Sequence, residues 1–161
     1  MILEYDLIGE YDVSLDNKGR FRIPGALLKD LGGADDLEFV INQGYYNNLV
    51  MYPKAVWNKV VGKLDEQLNE FNPEHKRFRM LFDRGANKVS PDSADRVLLP
   101  KRLQAYAEGE KSLILSARKD RIEIWTEAKY DALLDDEVES PVARLAAKIF
   151  GGSTQVAETN S

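Results

Sequence analysis

The chain of 161 residues contains no cysteine. That absence removes disulfide frameworks, thiolate metal sites and thiol nucleophiles together, and it is compatible with a reducing compartment. Its one histidine, His75, has no second imidazole or cysteine at metal-ligand spacing, and Asn72-Pro73-Glu74-His75 reads as the opening of a helix, so it is expected to be an exposed or capping residue. Phosphate-loop, dinucleotide and nucleophile-elbow motifs are all missing, and Gly151-Gly152-Ser153-Thr154 follows no strand. Carboxylate pairs such as Asp35-Asp36 and Asp135-Asp136 lie on polar stretches and look like solvated surface. No enzyme, cofactor or metal site is therefore expected, and acid–base hydrolysis by surface carboxylates is the weakest reading. No apolar run approaches the ~20 residues of a membrane span. Met1 to Asp6 carries acids where a signal peptide needs basic residues, which predicts a soluble, cytoplasmic protein without a membrane partner.

What is present suffices for one domain, or for two small units sharing a core: 43% of the residues are hydrophobic and 30% charged. The formal net charge of -5 argues at first against a nucleic-acid partner. Its distribution matters more. Asp131, Asp135, Asp136, Glu137 and Glu139 lie together without a base, and the rest of the chain is formally neutral. Bases instead cluster in Asp16 to Arg22, which holds Lys18, Arg20 and Arg22, and in Lys76 to Arg84. Either cluster can be a solvated face or a basic patch.

An internal repeat organises the chain. Asp16-Asn17-Lys18-Gly19-Arg20-Phe21-Arg22-Ile23-Pro24 returns 76 residues later as Asp92-Ser93-Ala94-Asp95-Arg96-Val97-Leu98-Leu99-Pro100. Tyr11, Val13 and Leu15 alternate with polar residues ahead of the first turn, and Val89 sits similarly before the second. Each turn precedes a short helix, with Leu27, Leu28 and Leu31 before Gly32-Gly33 and with Leu103, Tyr106 and Ala107 before Gly109; Pro24 and Pro100 suit the first helical position. Two further apolar runs follow each helix, Leu37 to Ile41 with Leu49 to Tyr52, and Leu113 to Leu115 with Ile122 to Trp125. The offset there shrinks to 73, which a shorter second hairpin turn explains. Each unit thus reads strand, turn, strand, short helix, strand, turn, strand.

Between the units, Trp57, Val61, Leu64, Leu68 and Phe71 predict one amphipathic helix. Asn72 then caps a second, with Pro73 at its first position, an apolar stripe of Phe78, Leu81 and Phe82, and Gly85 at its end. After the second unit, Thr126 is expected to cap a helix bearing Tyr130, Leu133 and Leu134. Ser140-Pro141 opens another with Val142, Leu145, Ala146 and Ile149. The boundaries read as a first repeat at 8–53, a connector at 54–84, a second repeat at 85–128, C-terminal helices at 129–150 and a disordered tail at 151–161.

The repeated turn carries the chemistry. Asp16 can accept backbone N–H groups two or three residues on and Gly19 can take a positive φ, so the motif shapes a tight connection in which Arg20 can simply pair with Asp16. A turn does not need an arginine at its exit, yet the second copy loses glycine and keeps Arg96 after Asp92, which points to a ligand such as phosphate or guanine.

Glu10 to Arg20 with Ile23-Pro24 resembles the first motif of MraZ proteins, of the AbrB-like swapped-hairpin group, and Asp92 to Pro100, Leu49 to Pro53 and Arg121 to Trp125 also match. The similarity spans about residues 8 to 150. The resemblance implies a mainly β, α+β fold, a double-split β-barrel from two β-β-α-β-β units, and a homo-oligomeric ring. It also implies a nucleoid-associated regulator that binds tandem repeats in double-stranded promoter DNA of the division and cell-wall gene cluster. On that reading Lys18, Arg20 and Arg22 bind DNA first and Arg96 second, while Asp16, Gly19 and Asp92 shape the turns. Where the family's second motif has Gly before Arg, this chain has Asp95, which weakens phosphate attraction there. A swapped-hairpin, antitoxin-like module that binds protein through its helices and acidic segment is the alternative.

Overall fold

The computed structural model describes residues 5–134, 142 and 144–151. The first repeat contributes β1 (Leu7–Ser14), β2 (Arg20–Arg22), α1 (Gly25–Asp30), β3 (Phe39–Gln43) and β4 (Leu49–Pro53). After the connecting helices α2 (Lys54–Gln67) and α3 (Pro73–Gly85), the second contributes β5 (Asn87–Val89), β6 (Arg96–Leu98), α4 (Lys101–Gln104) with a 3-10 turn at Ala105–Ala107, β7 (Ser112–Lys119) and β8 (Arg121–Thr126). The α+β architecture of two β-β-α-β-β units is the expected one.

The units do not sit side by side. Six strands form one antiparallel sheet in the order β1-β7-β8-β4-β3-β5, so the first strand of each repeat pairs with the third strand of the other. The order is the same from either end once the repeats are exchanged. Its centre is the β4–β8 seam, where Leu49 faces Ile124, Val50 faces Glu123 and Met51 faces Ile122. β2 and β6 pair separately, with Arg20 opposite Leu98, Phe21 opposite Val97 and Arg22 opposite Arg96. Phe21 and Val97 enter the same core as Phe39, Ile41, Leu115 and Ile124. Burying a side chain such as Phe21 contributes about 1.5–3 kcal/mol, which fixes the ribbon to the large sheet.

Pro24 and Pro100 lie one place earlier than the sequence suggested: each is an N-cap in an extended conformation, not the first helical residue. The Pro24 carbonyl still accepts the Leu28 N–H at 2.9 Å, which is what a cap must do. The long connector helix is also shorter than its apolar spacing implied. It ends at Gln67, Leu68 turns extended, and Phe71 lies outside it and is exposed. The cause is local, since the Asn69 side chain accepts the Phe71 N–H and the His75 Nδ1 atom accepts the Asn69 N–H, both bonds tying the chain into a turn. Val56, with Trp57 and Val60 beside it, packs on Val50 and Tyr52.

Asn72 caps α3 as expected, accepting the Glu74 and His75 N–H groups. Phe78 and Phe82 stack, and Phe82 stacks on Trp57 with ring centroids 5.3 Å apart, but Leu81 points to solvent. α3 is held to the sheet by buried Asn42, whose Nδ2 donates to the Phe82 carbonyl at 3.0 Å. Gly85 is required there, because a Cβ would come 2.3 Å from Asn42 Oδ1.

Residues up to Glu127 form one compact unit, and a second begins at Ala128. Thr126 is the last residue of β8 and fully buried, and α5 (Glu127–Leu134) follows it directly. Residues 142 and 144–151 are helical, with Val142, Leu145 and Ile149 exposed. The expected start at Ser140-Pro141, most of the acidic run and the tail beyond Gly151 lie outside the described residues. Among the described residues no helix is long and apolar enough to cross a membrane.

Candidate nucleic-acid interface

Both copies of the Asp-x-x-x-Arg turn fold alike. In the first, Asp16 Oδ1 accepts the Lys18 and Arg20 N–H groups, each at 2.9 Å, and Asp16 Oδ2 accepts Arg20 Nε–H at 2.7 Å. In the second, Asp92 Oδ1 accepts from the Ala94 and Arg96 N–H groups and Oδ2 from Arg96 Nε–H, all at 2.9 Å. The residue before each arginine is left-handed, Gly19 at φ +82° and Asp95 at +61°, so aspartate serves where the first copy has glycine. The two turns interlock. Leu99 N–H donates to the Gly19 carbonyl and Ile23 N–H to the Asp95 carbonyl, both at 2.9 Å.

The N–H groups converging on each aspartate hold it ionised. The Arg20 backbone N–H, helped by its guanidinium and by Lys18 N–H, draws the Asp16 carboxyl down to about 2, and the Arg96 backbone N–H lowers that of Asp92. Each carboxylate grips its arginine through Nε alone, and both terminal guanidinium nitrogens of Arg20 and Arg96 are without a protein partner among the described residues. Arg20 therefore pairs with Asp16 and still has two terminal nitrogens to offer a ligand.

Because strands alternate faces, burying Phe21 and Val97 turns Arg20, Arg22, Arg96 and Leu98 to the other side of the ribbon. Three guanidinium groups share one face of a two-stranded antiparallel ribbon, with Lys18 exposed in the adjoining turn. Such a ribbon has a shape that the major groove of B-DNA admits. The other sequence-derived cluster is partly spent internally, as Arg79 on α3 pairs with both Asp65 and Asp83.

Two matching grooves flank the ribbon. One, of about 570 Å³, is lined by Asp12, Ser14, Arg22, Pro24 and Asp95. The other, of about 510 Å³, is lined by Lys18, Lys88, Ser90, Leu98, Pro100 and Lys101. Residue for residue these are repeat equivalents: Asp12 and Lys88, Ser14 and Ser90, Arg22 and Leu98, Pro24 and Pro100. Sequence reasoning found neither Lys88, Lys101 nor Leu98. The signal was the 76-residue offset, which sets each opposite a first-repeat residue of different character.

The MraZ protein family matches the chain twice, over residues 7–81 and 82–151. A "Transcriptional regulator MraZ" of Cytophaga hutchinsonii is 36% identical over 140 residues, covering 87% of this chain and 91% of the relative. One from Christiangramia forsetii is 35% identical over 147 residues, covering 91% and 94%. One from Clostridium acetobutylicum is 37% identical over 123 residues, covering 76% and 83%. These names are those of regulators, not of enzymes. With two tandem matches of the family and this similarity along nearly the whole chain, the protein belongs to the MraZ family.

Proposed function

We propose that the protein is a sequence-specific DNA-binding transcriptional regulator that lays the β2–β6 ribbon in the major groove. The observation that carries the reading is the ribbon's outer face, where Arg20 and Arg96 are fixed by Asp16 and Asp92 through Nε, leaving their terminal nitrogens without a protein partner among the described residues. Fixed guanidiniums suit bidentate pairing with guanine, and each good base contact contributes about 1–3 kcal/mol of discrimination. The relatives named transcriptional regulators support it.

The finer reading follows the family resemblance. The operator is a set of tandem repeats upstream of the division and cell-wall gene cluster, and the protein is a cytoplasmic, nucleoid-associated ring of identical subunits. Repeats 8–53 and 85–128 act as one DNA-binding body, with 54–84 as connector and 129–150 supplying contacts between subunits. Several weak sites on a ring bind tandem repeats tightly through effective concentration. A gel shift on the promoter of its own operon against scrambled duplex, with native mass spectrometry, tests both parts. A specific shift with a multi-subunit complex is expected. Equal affinity for both duplexes would overturn the regulator reading and favour the protein-interaction module, for which the exposed Val142, Leu145 and Ile149 are the supporting feature.

A further inference from the structure

The ribbon is nearly symmetric, but its flanks are not. A duplex that takes the ribbon into its major groove runs its two sugar-phosphate strands along the ribbon's two sides. On one side lie Lys18, Lys88 and Lys101, exposed, with no carboxylate in the groove lining and no ion-pair partner among the described residues. On the other, Asp12 and Asp95 stand with Arg22, and Arg96 lies opposite Arg22 in the ribbon, so acids and bases balance there. Phosphate is attracted to the first and finds no net attraction at the second.

Resting on the DNA-binding reading above, we propose that the Lys18–Lys88–Lys101 groove is a backbone clamp for one DNA strand, and that its contrast with the Asp12–Asp95 flank sets the protein on its site in a single orientation. A body built from two like halves would match a palindrome if both flanks were alike. Here the lysines break the equivalence: one half of the ribbon has an arginine at Arg22, and the other has Leu98, half exposed at 51%, beside the clamp. Each subunit then reads a directional sequence. The lysines position the duplex and the arginines read it.

The chain's lack of cysteine makes the test clean. Ser14 and Ser90 are exposed and occupy equivalent places in the two grooves. Single variants Ser14→Cys and Ser90→Cys, each carrying a tethered iron chelate for hydroxyl-radical cleavage, are bound to duplex selected from a random pool by the wild-type protein. Cleavage from Ser90→Cys at one end of each site and from Ser14→Cys at the other is expected. Independently, Lys88→Gln and Lys101→Gln should each lower the slope of log K against log salt by about 1 without changing the selected sequence. Lys59→Gln on α2, the charge control, should leave it unchanged. Cleavage at both ends from each cysteine, or equal slopes for Lys88→Gln and Lys59→Gln, would overturn the clamp while leaving DNA binding intact. A wild-type protein that selects no duplex would overturn the DNA-binding reading and the clamp with it.

Discussion

An arginine on a flexible stem loses much of its rotamer freedom when it binds, and the two aspartates remove that loss beforehand. Arg20→Ala is therefore expected to abolish specific binding, at roughly 1–3 kcal/mol per engaged subunit, in fluorescence anisotropy with circular dichroism as the folding check. Arg96→Ala should cost less. Its turn is as well made, but the Asp95 carboxylate stands beside it and offsets part of its pull on phosphate. Equal losses would end that ranking. Asp16→Ala should weaken binding differently, because Arg20 keeps its charge and loses its fixed pose. The Asp16 carboxyl gives a pH prediction. Its folded value of about 2 lies below the unfolded one, so its contribution to the turn is full above the ordinary carboxylate range and falls away as pH drops from there through about 2. A carboxyl carbon titration should find that midpoint; one near 4 would show that the N–H groups do not hold the anion in solution.

Elements were legible where neighbours in sequence decide them. The Asp-x-x-x-Arg turns depend on bonds spanning four residues, the Asn72 cap on three, and the strands on alternation, so all could be read directly. Strand partners could not, because period two says which face is buried but not what lies alongside; the exchange of β1 and β5 between repeats is invisible locally. The connector was over-extended for a similar reason. Leu68 and Phe71 continue the apolar spacing, while the Asn69 and His75 bonds that end the helix are set by side chains the pattern does not weigh. The groove lysines are thirteen and seventy residues apart and meet only through β6. The last residue of α3, Gly85, is closely constrained. Gly85→Ala should destabilise the protein by about 1–3 kcal/mol in denaturant melts, as Asn42 cannot move without releasing the Phe82 carbonyl. An unchanged midpoint would mean that the contact relaxes freely.

At the scale of the molecule, local cations should outweigh the net charge. With about three phosphates neutralised per subunit, log K is expected to fall with log salt at a slope near -2.7, and a flat response would refute the ribbon-in-groove pose. Truncation before Ser140 should shift the sedimentation of the assembly if the exposed Val142, Leu145 and Ile149 join subunits, and an unchanged coefficient would exclude that role. Within a repeat only the last two strands pair, and the first two find their partners in the other repeat, so residues 1–69 alone should not fold, yet should combine with 70–161 when the two are made together. A folded, monomeric first half would contradict the strand exchange. The pairing of β1 with β7 also imposes a schedule on synthesis. Ser14 and its partner Ser112 are 98 residues apart, and at the pace of a ribosome β1 waits roughly 5–20 s for its partner to be made. Through that interval an amphipathic strand has an open edge, and on a polysome the nearest unpaired β7 can belong to the chain ahead.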